Sequence, residues 1–382
     1  MSRLTIFIPG IMGSRLRQSG GGLLWHEDIY ATLSQLVSHP SLMQWSSQSQ
    51  VIPDGVLEEV EFMGRKQSLC GLLRREMHNM HSRCQLVYDE FAYDWRQDIA
   101  VSAKQLGEWL SQRHRFRSDG QGKQEMETEK RLAIIGHSMG CLVAALAMMQ
   151  GYVHPGNVRK FICIGAPFLG APSAFRALYH LGYLPGMVWI DRWVNKGKNK
   201  RARTQLLLST LQSFPSIYQL LPPQSYPFVQ IRNSTTGLIN PLSSNIIPLD
   251  KINAATRAHS QLANFEQFLQ QNGVDYRLIY GVTQKQSRLA FLFTLGGLLN
   301  LGSPRDTDEL LSASTVTTVA GQVTYEQVSI SNLGVGDGTV PMRSASLGTP
   351  TTSSTRYQIA GVKHAFMCND TGTVKQTKQL LK

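Results

Sequence analysis

The sequence is short of charge, short of cysteine and without a long apolar run, and each shortage excludes a class of protein. Charged residues fill 17% of 382 positions, while 42% are hydrophobic. That balance supplies a sizeable core and excludes a disordered polyelectrolyte. The five cysteines, Cys70, Cys84, Cys141, Cys163 and Cys368, are odd in number and scattered. They do not read as a disulfide framework, so a reducing compartment is expected. Cys141 and Cys163 sit in apolar runs and read as core residues. The longest later apolar stretch, residues 289–301, is interrupted by Gly296, Gly297 and Asn300. It falls short of the roughly 20 residues that span a bilayer. The opening apolar stretch, residues 4–8, is strand-length, too short for a secretory h-region, and no small-residue cleavage site follows it. The expectation is a cytoplasmic protein, or one exported without a classical signal peptide, that touches a membrane at most peripherally.

Acidic residues are also scarce, 26 against 38 basic, for a net charge of +12. Such an excess favours anionic lipid surfaces or nucleic acid as partners. No zinc-finger spacing, RNP-like aromatic strand or Walker loop accompanies it, so nucleic acid is not expected. His78, His81 and Cys84 are spaced by threes, yet no further ligand pair stands near them. They read as a solvated helix face, and neither a metal nor a cofactor is expected. No internal repeat is visible.

What is present centres on Gly136-His137-Ser138-Met139-Gly140. The apolar run Leu132-Ala133-Ile134-Ile135 precedes it and an Ala-rich run from Cys141 to Met149 follows it. Strand, sharp turn and helix in that order make a nucleophile elbow, with Ser138 at its tip. The glycines leave room for the turn, and the helix N-terminus directs its amides and dipole at the serine. A second Gly-rich loop, Pro9-Gly10-Ile11-Met12-Gly13-Ser14, follows the strand expected at 4–8. Its Ile11 amide, with Met12 as the alternative, is the candidate second donor of an oxyanion hole.

The remaining chain alternates strands and helices up to about residue 173. Helices are expected at 25–37, 69–80 and 99–110, strands at 85–91 and 159–164, irregular chain at 40–66 and a surface loop at 117–130. Tyr93-Asp94-Trp95-Arg96 at a strand end reads as a hydrogen-bonded structural corner rather than a substrate contact. From about 174 the alternation stops. That stretch holds Trp189, Trp193 and a basic cluster from Arg192 to Arg203. It reads as a cap, residues 174–274, inserted into a core formed by 1–173 and 275–382. A strand is expected at 276–282, a Ser/Thr-rich excursion at 283–325, a last strand at 356–360 and a closing amphipathic helix.

A serine hydroxyl needs a base, and the base needs an acid that fixes its tautomer. Of ten histidines, only His259 and His364 follow Ser138 by enough chain. His259 lies in a polar helix-like segment, whereas His364 stands just after the last strand, where the base belongs. Asp337 lies in the loop Gly336-Asp337-Gly338 after a strand, which is where the acid belongs. Asp250, Asp275, Asp306 and Asp308 lack that setting, although Asp306 stays open as an alternative.

The motifs named so far, joined by Gly165-Ala166-Pro167, Gly170-Ala171-Pro172, the stretch from Phe214-Pro215-Ser216 to Leu221-Pro222 and Gly336-Asp337-Gly338-Thr339-Val340, occur in one order over nearly the whole chain. In that order they resemble the lecithin:cholesterol acyltransferase family, which includes lysosomal phospholipases and phospholipid:diacylglycerol acyltransferases. The resemblance implies an α/β-hydrolase fold, a mostly parallel sheet flanked by helices, with an inserted cap and lid. It implies Ser138, Asp337 and His364 as a catalytic triad, with oxyanion amides from Ile11 and Met139. It also implies acyl esters of phospholipids as substrates, the acyl group passing to water or to an alcohol. The well-known animal members are secreted or lysosomal and carry disulfides; this chain shows neither a signal peptide nor an evident N-terminal cysteine pair. Met12, Trp189 and Trp193 are the expected substrate contacts, and the basic stretch around the two tryptophans is the candidate contact with an anionic membrane surface. A lipid-directed serine acyl hydrolase is the reading reached. Its rivals are an acyltransferase, an esterase of soluble substrates, an exported membrane-attacking toxin, and a non-enzymatic protein that binds lipid or another protein.

Overall fold

Short runs such as Leu4–Ile8, apolar but for Thr5, have no polar face to offer water, so they settle in a sheet covered on both sides. The computed structural model describes residues 3–48, 50–62, 65–114, 131–179, 200–226, 229–233, 237–243, 247–282, 309–318, 321–330, 336–350 and 352–382. Six strands form its main sheet: β1 (Leu4–Ile8), β2 (Val87–Glu90), β3 (Leu132–His137), β4 (Val158–Ile164), β5 (Asp275–Val282) and β6 (Arg356–Ala360). Their spatial order is β6-β5-β4-β3-β1-β2, and every neighbouring pair is parallel.

Successive side chains of a strand point to opposite faces, and here both faces are apolar. Ile6, Ile8, Ile134, Phe161 and Leu278 enter one core cluster. Phe7, Ile135, Ile162 and Ile279 enter the other. None of these is more than 1% exposed, so each contributes about 1.5–3 kcal/mol of burial free energy. The helices Ile99–His114, Met139–Met149 and Leu249–Leu262 cover the first face through residues such as Leu106, Leu142 and Ala255. Gly71–Ser82 and Thr371–Leu381 cover the second through Leu73, Met77, Val374 and Leu380. The last helix is capped by Asp370, whose carboxylate accepts from the Thr373 amide at 2.7 Å. A parallel sheet with helices on both faces is the expected architecture.

Three local expectations need correcting. The helix expected at 25–37 spans Ile29–Ser38, because Leu23–Trp25 pairs with Ser14–Gln18 as a strand. Asp28 then starts the helix, accepting from the Ala31 amide at 2.9 Å. Residues 40–66 are not irregular throughout: Val51–Val56 is an edge strand on Ser14–Gln18, and Glu59–Phe62 pairs with Arg65–Ser68. Pro53 and Gly55 within the first of these hid it, and an edge strand tolerates both. Finally, Glu309–Thr318 and Gly321–Ile330 form a long hairpin within the expected Ser/Thr-rich excursion, and the second strand runs on past its end. Gly321–Ile330 also pairs antiparallel with Val229–Asn233, which pairs with Gly237–Ile239. Segments about a hundred residues apart therefore share one four-stranded sheet. The loop expected at 117–130 lies outside the described residues.

Between β4 and β5 the chain forms the helices Pro172–Tyr179, Lys200–Gln212, Pro215–Gln219, Leu249–Leu262 and Phe265–Gln271. Pro215–Gln219 is fully buried. The Ser216 hydroxyl donates to the Trp95 carbonyl at 2.7 Å, the Ile99 amide donates to Gln219 Oε1 at 2.8 Å, and the Ala171 amide donates to the Leu220 carbonyl at 2.8 Å. These contacts tie the stretch to the carboxyl ends of the sheet.

Candidate active site

The turn between β3 and the helix Met139–Met149 is too tight for side chains at either flank. A Cβ on Gly136 would lie 2.8 Å from Cys141 Cα, and one on Gly140 would lie 2.3 Å from the Ile8 carbonyl oxygen. Glycine is what fits at both. Ser138 between them takes φ 52° and ψ −126°, a left-handed backbone that costs a serine of order 1–3 kcal/mol. Its amide donates to the Ile164 carbonyl at 2.8 Å, so β4 holds the strained turn in place.

His364 follows β6, and its ring bridges the other two candidates. His364 Nε2 lies 2.8 Å from Ser138 Oγ, and Nδ1 lies 2.7 Å from Asp337 Oδ2. With Nδ1 protonated toward the carboxylate, Nε2 is free to accept from the serine hydroxyl. Asp337 is 2% exposed, yet both of its oxygens are occupied. Oδ1 accepts from the amides of Thr339 at 3.1 Å and Val340 at 2.8 Å. The carboxylate is thereby fixed in direction. The His364 amide also donates to the Asp337 carbonyl at 3.0 Å. Gly165 and Gly281 let this arrangement close. A Cβ on Gly165 would lie 3.1 Å from His364 Nδ1, and one on Gly281 would lie 2.9 Å from Asp337 Cβ.

The loop after β1 lies against the elbow, since a Cβ on Gly10 would come within 2.8 Å of Ser138 Cβ. It is braced from behind. Tyr93 Oη donates to the Pro9 carbonyl at 2.9 Å, Trp25 Nε1 to the Met12 carbonyl at 2.9 Å, and Trp95 Nε1 to the Ser14 carbonyl at 3.0 Å. Met12 itself has φ 62°. Among the described residues, the amides of Ile11 and Met139 make no backbone hydrogen bond, which leaves both available as donors. Tyr93-Asp94-Trp95-Arg96 is thus a structural corner: all four are buried, and Arg96 grips Asp94 through two bonds at 2.9 and 2.7 Å.

The candidates passed over sit elsewhere. His259 contacts the Gln219 carbonyl at 3.2 Å, and burial lowers its pKa. Asp275 stands at the amino end of β5 with Lys160 and Arg277. Asp250 pairs with Lys251. Asp306, Asp308, Trp189 and Trp193 lie outside the described residues. One residue of the elbow had been given no role by the sequence. His137 Nε2 lies 3.1 Å from the His364 carbonyl oxygen, and burial, then the neighbouring His364, pushes its pKa down to about 3. Its place inside the G-x-S-x-G motif was the available signal.

Three comparisons bear on this geometry. A family model described as "Lecithin:cholesterol acyltransferase" matches residues 83–310. An uncharacterized protein of Saccharomyces cerevisiae, YJR098C, is 27% identical over 121 residues, which is 32% of this chain and 16% of that protein. The chain thus matches about a sixth of the length of that relative. Among solved structures, a chain of the Tle4–Tli4 complex superposes with a TM-score of 0.56 at 13% identity, covering 99% of this chain and 98% of that one. At that identity the likeness concerns the fold alone. The thioesterase domain from the curacin biosynthetic pathway superposes with a TM-score of 0.31 at 11% identity, over 100% and 92% of the two chains.

Proposed function

The chain belongs to the lecithin:cholesterol acyltransferase family and has its α/β-hydrolase fold, and from that premise we propose that it is a serine acyl hydrolase acting on acyl esters of lipids, phospholipids in particular. The observation that carries the reading is the linked set Ser138 Oγ, His364 Nε2 at 2.8 Å and Asp337 Oδ2 at 2.7 Å from Nδ1. In this reading Ser138 Oγ attacks the ester carbonyl while His364 Nε2 takes its proton. Asp337 holds the imidazole in the right tautomer and steadies the imidazolium. The amides of Ile11 and Met139 receive the oxyanion, aided by the helix N-terminus. The tetrahedral intermediate collapses, His364 protonates the departing alcohol, and an acyl ester remains on Ser138. Water, activated by His364, then releases the fatty acid. If an alcohol occupies that position instead of water, the same steps make a new ester.

Residues 174–274 serve in this proposal as the cap that selects the lipid, with Met12, Trp189 and Trp193 against the substrate. No described helix is long and apolar enough to cross a membrane; in this proposal the substrate is met at a surface. The charge of +12 favours an anionic one, with the basic stretch near Trp189 and Trp193 as the contact. The test is a mass-spectrometric survey of products from mixed phospholipids, with and without a fluorophosphonate. Fatty acid and lysophospholipid that vanish with the inhibitor are expected. Intact phospholipids alongside rapid cleavage of a soluble short-chain ester would overturn the lipid assignment.

A further inference from the structure

His364 has four polar atoms, and each one is engaged. Its amide donates to the Asp337 carbonyl at 3.0 Å, Nδ1 faces Asp337 Oδ2 at 2.7 Å, and Nε2 faces Ser138 Oγ at 2.8 Å. The fourth, the backbone carbonyl, is met by His137 Nε2 at 3.1 Å. Since a carbonyl only accepts, His137 must carry its proton on Nε2. The two rings lie with centroids 5.1 Å apart, tilted by 32°. On its other side His137 meets the loop after β1, where a Cβ on Gly10 would lie 3.4 Å from Nδ1 and 3.3 Å from the His137 carbonyl. His137 therefore stands between the turn that carries the base and the loop that carries a candidate oxyanion donor. It is covalently next to the nucleophile.

We infer that His137 is a positioning residue: its Nε2–H clamps the backbone of His364 so that the imidazole stays in register with Ser138 during proton transfer. The inference rests on the reading of Ser138 and His364 as nucleophile and base, and deepens it. The sheet explains why such a clamp is needed. Ser138 and His364 are carried by β3 and β6, with β4 and β5 between them. Their strands are linked through β4 and β5, and the His137 ring adds a direct contact between the two turns. A misplacement of about 1 Å in such a pair can cost on the order of 100-fold in rate. The clamp must also remain uncharged. His364 becomes an imidazolium when it takes the serine proton, and a cation 5.1 Å away would oppose it. Burial keeps His137 neutral throughout the working range of a base.

The experiment compares His137→Phe, which keeps a flat ring but has no donor, with His137→Gln, whose amide reaches the same carbonyl. Steady-state hydrolysis of a soluble short-chain ester, the second-order rate of fluorophosphonate labelling and thermal melting are measured for both. His137→Phe is expected to lower kcat and the labelling rate by roughly 10- to 100-fold, with KM within about twofold. His137→Gln is expected to recover most of that loss. Phe activity equal to wild type, or equal loss in folded Phe and Gln variants, overturns the clamp. Should His137→Phe fail to melt cooperatively, His137→Leu replaces it, under the same comparison with Gln. Ser138→Ala is run alongside. If that variant keeps wild-type activity, the serine reading fails and the clamp falls with it; if it is inactive, the Phe and Gln results bear on His137 alone.

Discussion

At their carboxyl ends, the strands of the parallel sheet run into residues with little freedom. Gly10 follows β1, Tyr93 follows β2, Ser138 follows β3, Gly165 follows β4, Gly281 lies within the end of β5, and His364 follows β6. Met12, Ser138 and Gly165 have φ of 62°, 52° and 59°, and several glycines have no space for a Cβ. At the amino ends of β4 and β5 the chemistry is ordinary. Asp275 pairs with Lys160 at 3.2 Å and Arg277 at 2.7 Å, while Arg159 and Lys160 donate to the carbonyls of Leu381 and Leu380 in the last helix. One end of the sheet holds strained backbone around the candidate site; the other carries ion pairs and contacts to the last helix. Substitutions at the two edges should therefore separate activity from stability.

The largest effects belong to the three linked side chains. Ser138→Ala and His364→Ala should each lower kcat on the order of 10⁴-fold or more and agree within about tenfold, because such residues act as a unit. Asp337→Asn should cost on the order of 10⁴-fold by admitting the wrong imidazole tautomer. Melting temperatures of all three should stay close to wild type. A mild Asp337→Asn beside a crippling Asp306→Asn would mean that the acid has been misassigned.

How much of this edge could be read from the chain alone varies with the range of the contacts. The strand before Ser138 and the helix after it are local, apolar and bounded by glycines, so both stood out in the sequence. Asp337 and His364 became candidates because the sequence places each just after an expected strand. The hairpin Glu309–Thr318 with Gly321–Ile330 was not legible, since its strands are rich in Ser, Thr and Gln. Its further partner, Val229–Asn233, is about a hundred residues distant. Val51–Val56 was lost to its own proline and glycine. His137 escaped for a different reason: its partner is a backbone carbonyl 227 positions away, and no side-chain pattern announces a carbonyl.

A smaller effect sharpens the contrast. Gly140→Ala places a methyl against the carbonyl oxygens of Ile8 and Pro9, at 2.3 and 2.5 Å without relaxation. The loop after β1 must then move away from Ser138. Activity should fall on the order of 100-fold, with Ser138 still labelled by a fluorophosphonate, though slowly. Full activity in this variant would detach that loop from the oxyanion site.

The smallest expected effect on activity comes from the opposite edge. Asp275→Ala leaves the Lys160 ammonium, 12% exposed in its side chain, without its carboxylate partner. It should cost roughly 1–2 kcal/mol of stability in denaturant unfolding while kcat/KM for a short-chain ester remains within about twofold. A large loss of activity at unchanged stability would erase the distinction between the two edges.

The central claim, that Ser138 is the nucleophile, is tested most directly by locating a fluorophosphonate adduct. The wild-type protein is treated with the reagent, digested and analysed by peptide mass spectrometry, with His364→Ala in parallel. The expected result is a single phosphonylated peptide modified at Ser138, formed at least about 10³-fold more slowly when His364 is absent. An adduct on any other serine, or labelling of Ser138 at an undiminished rate without His364, would contradict the account.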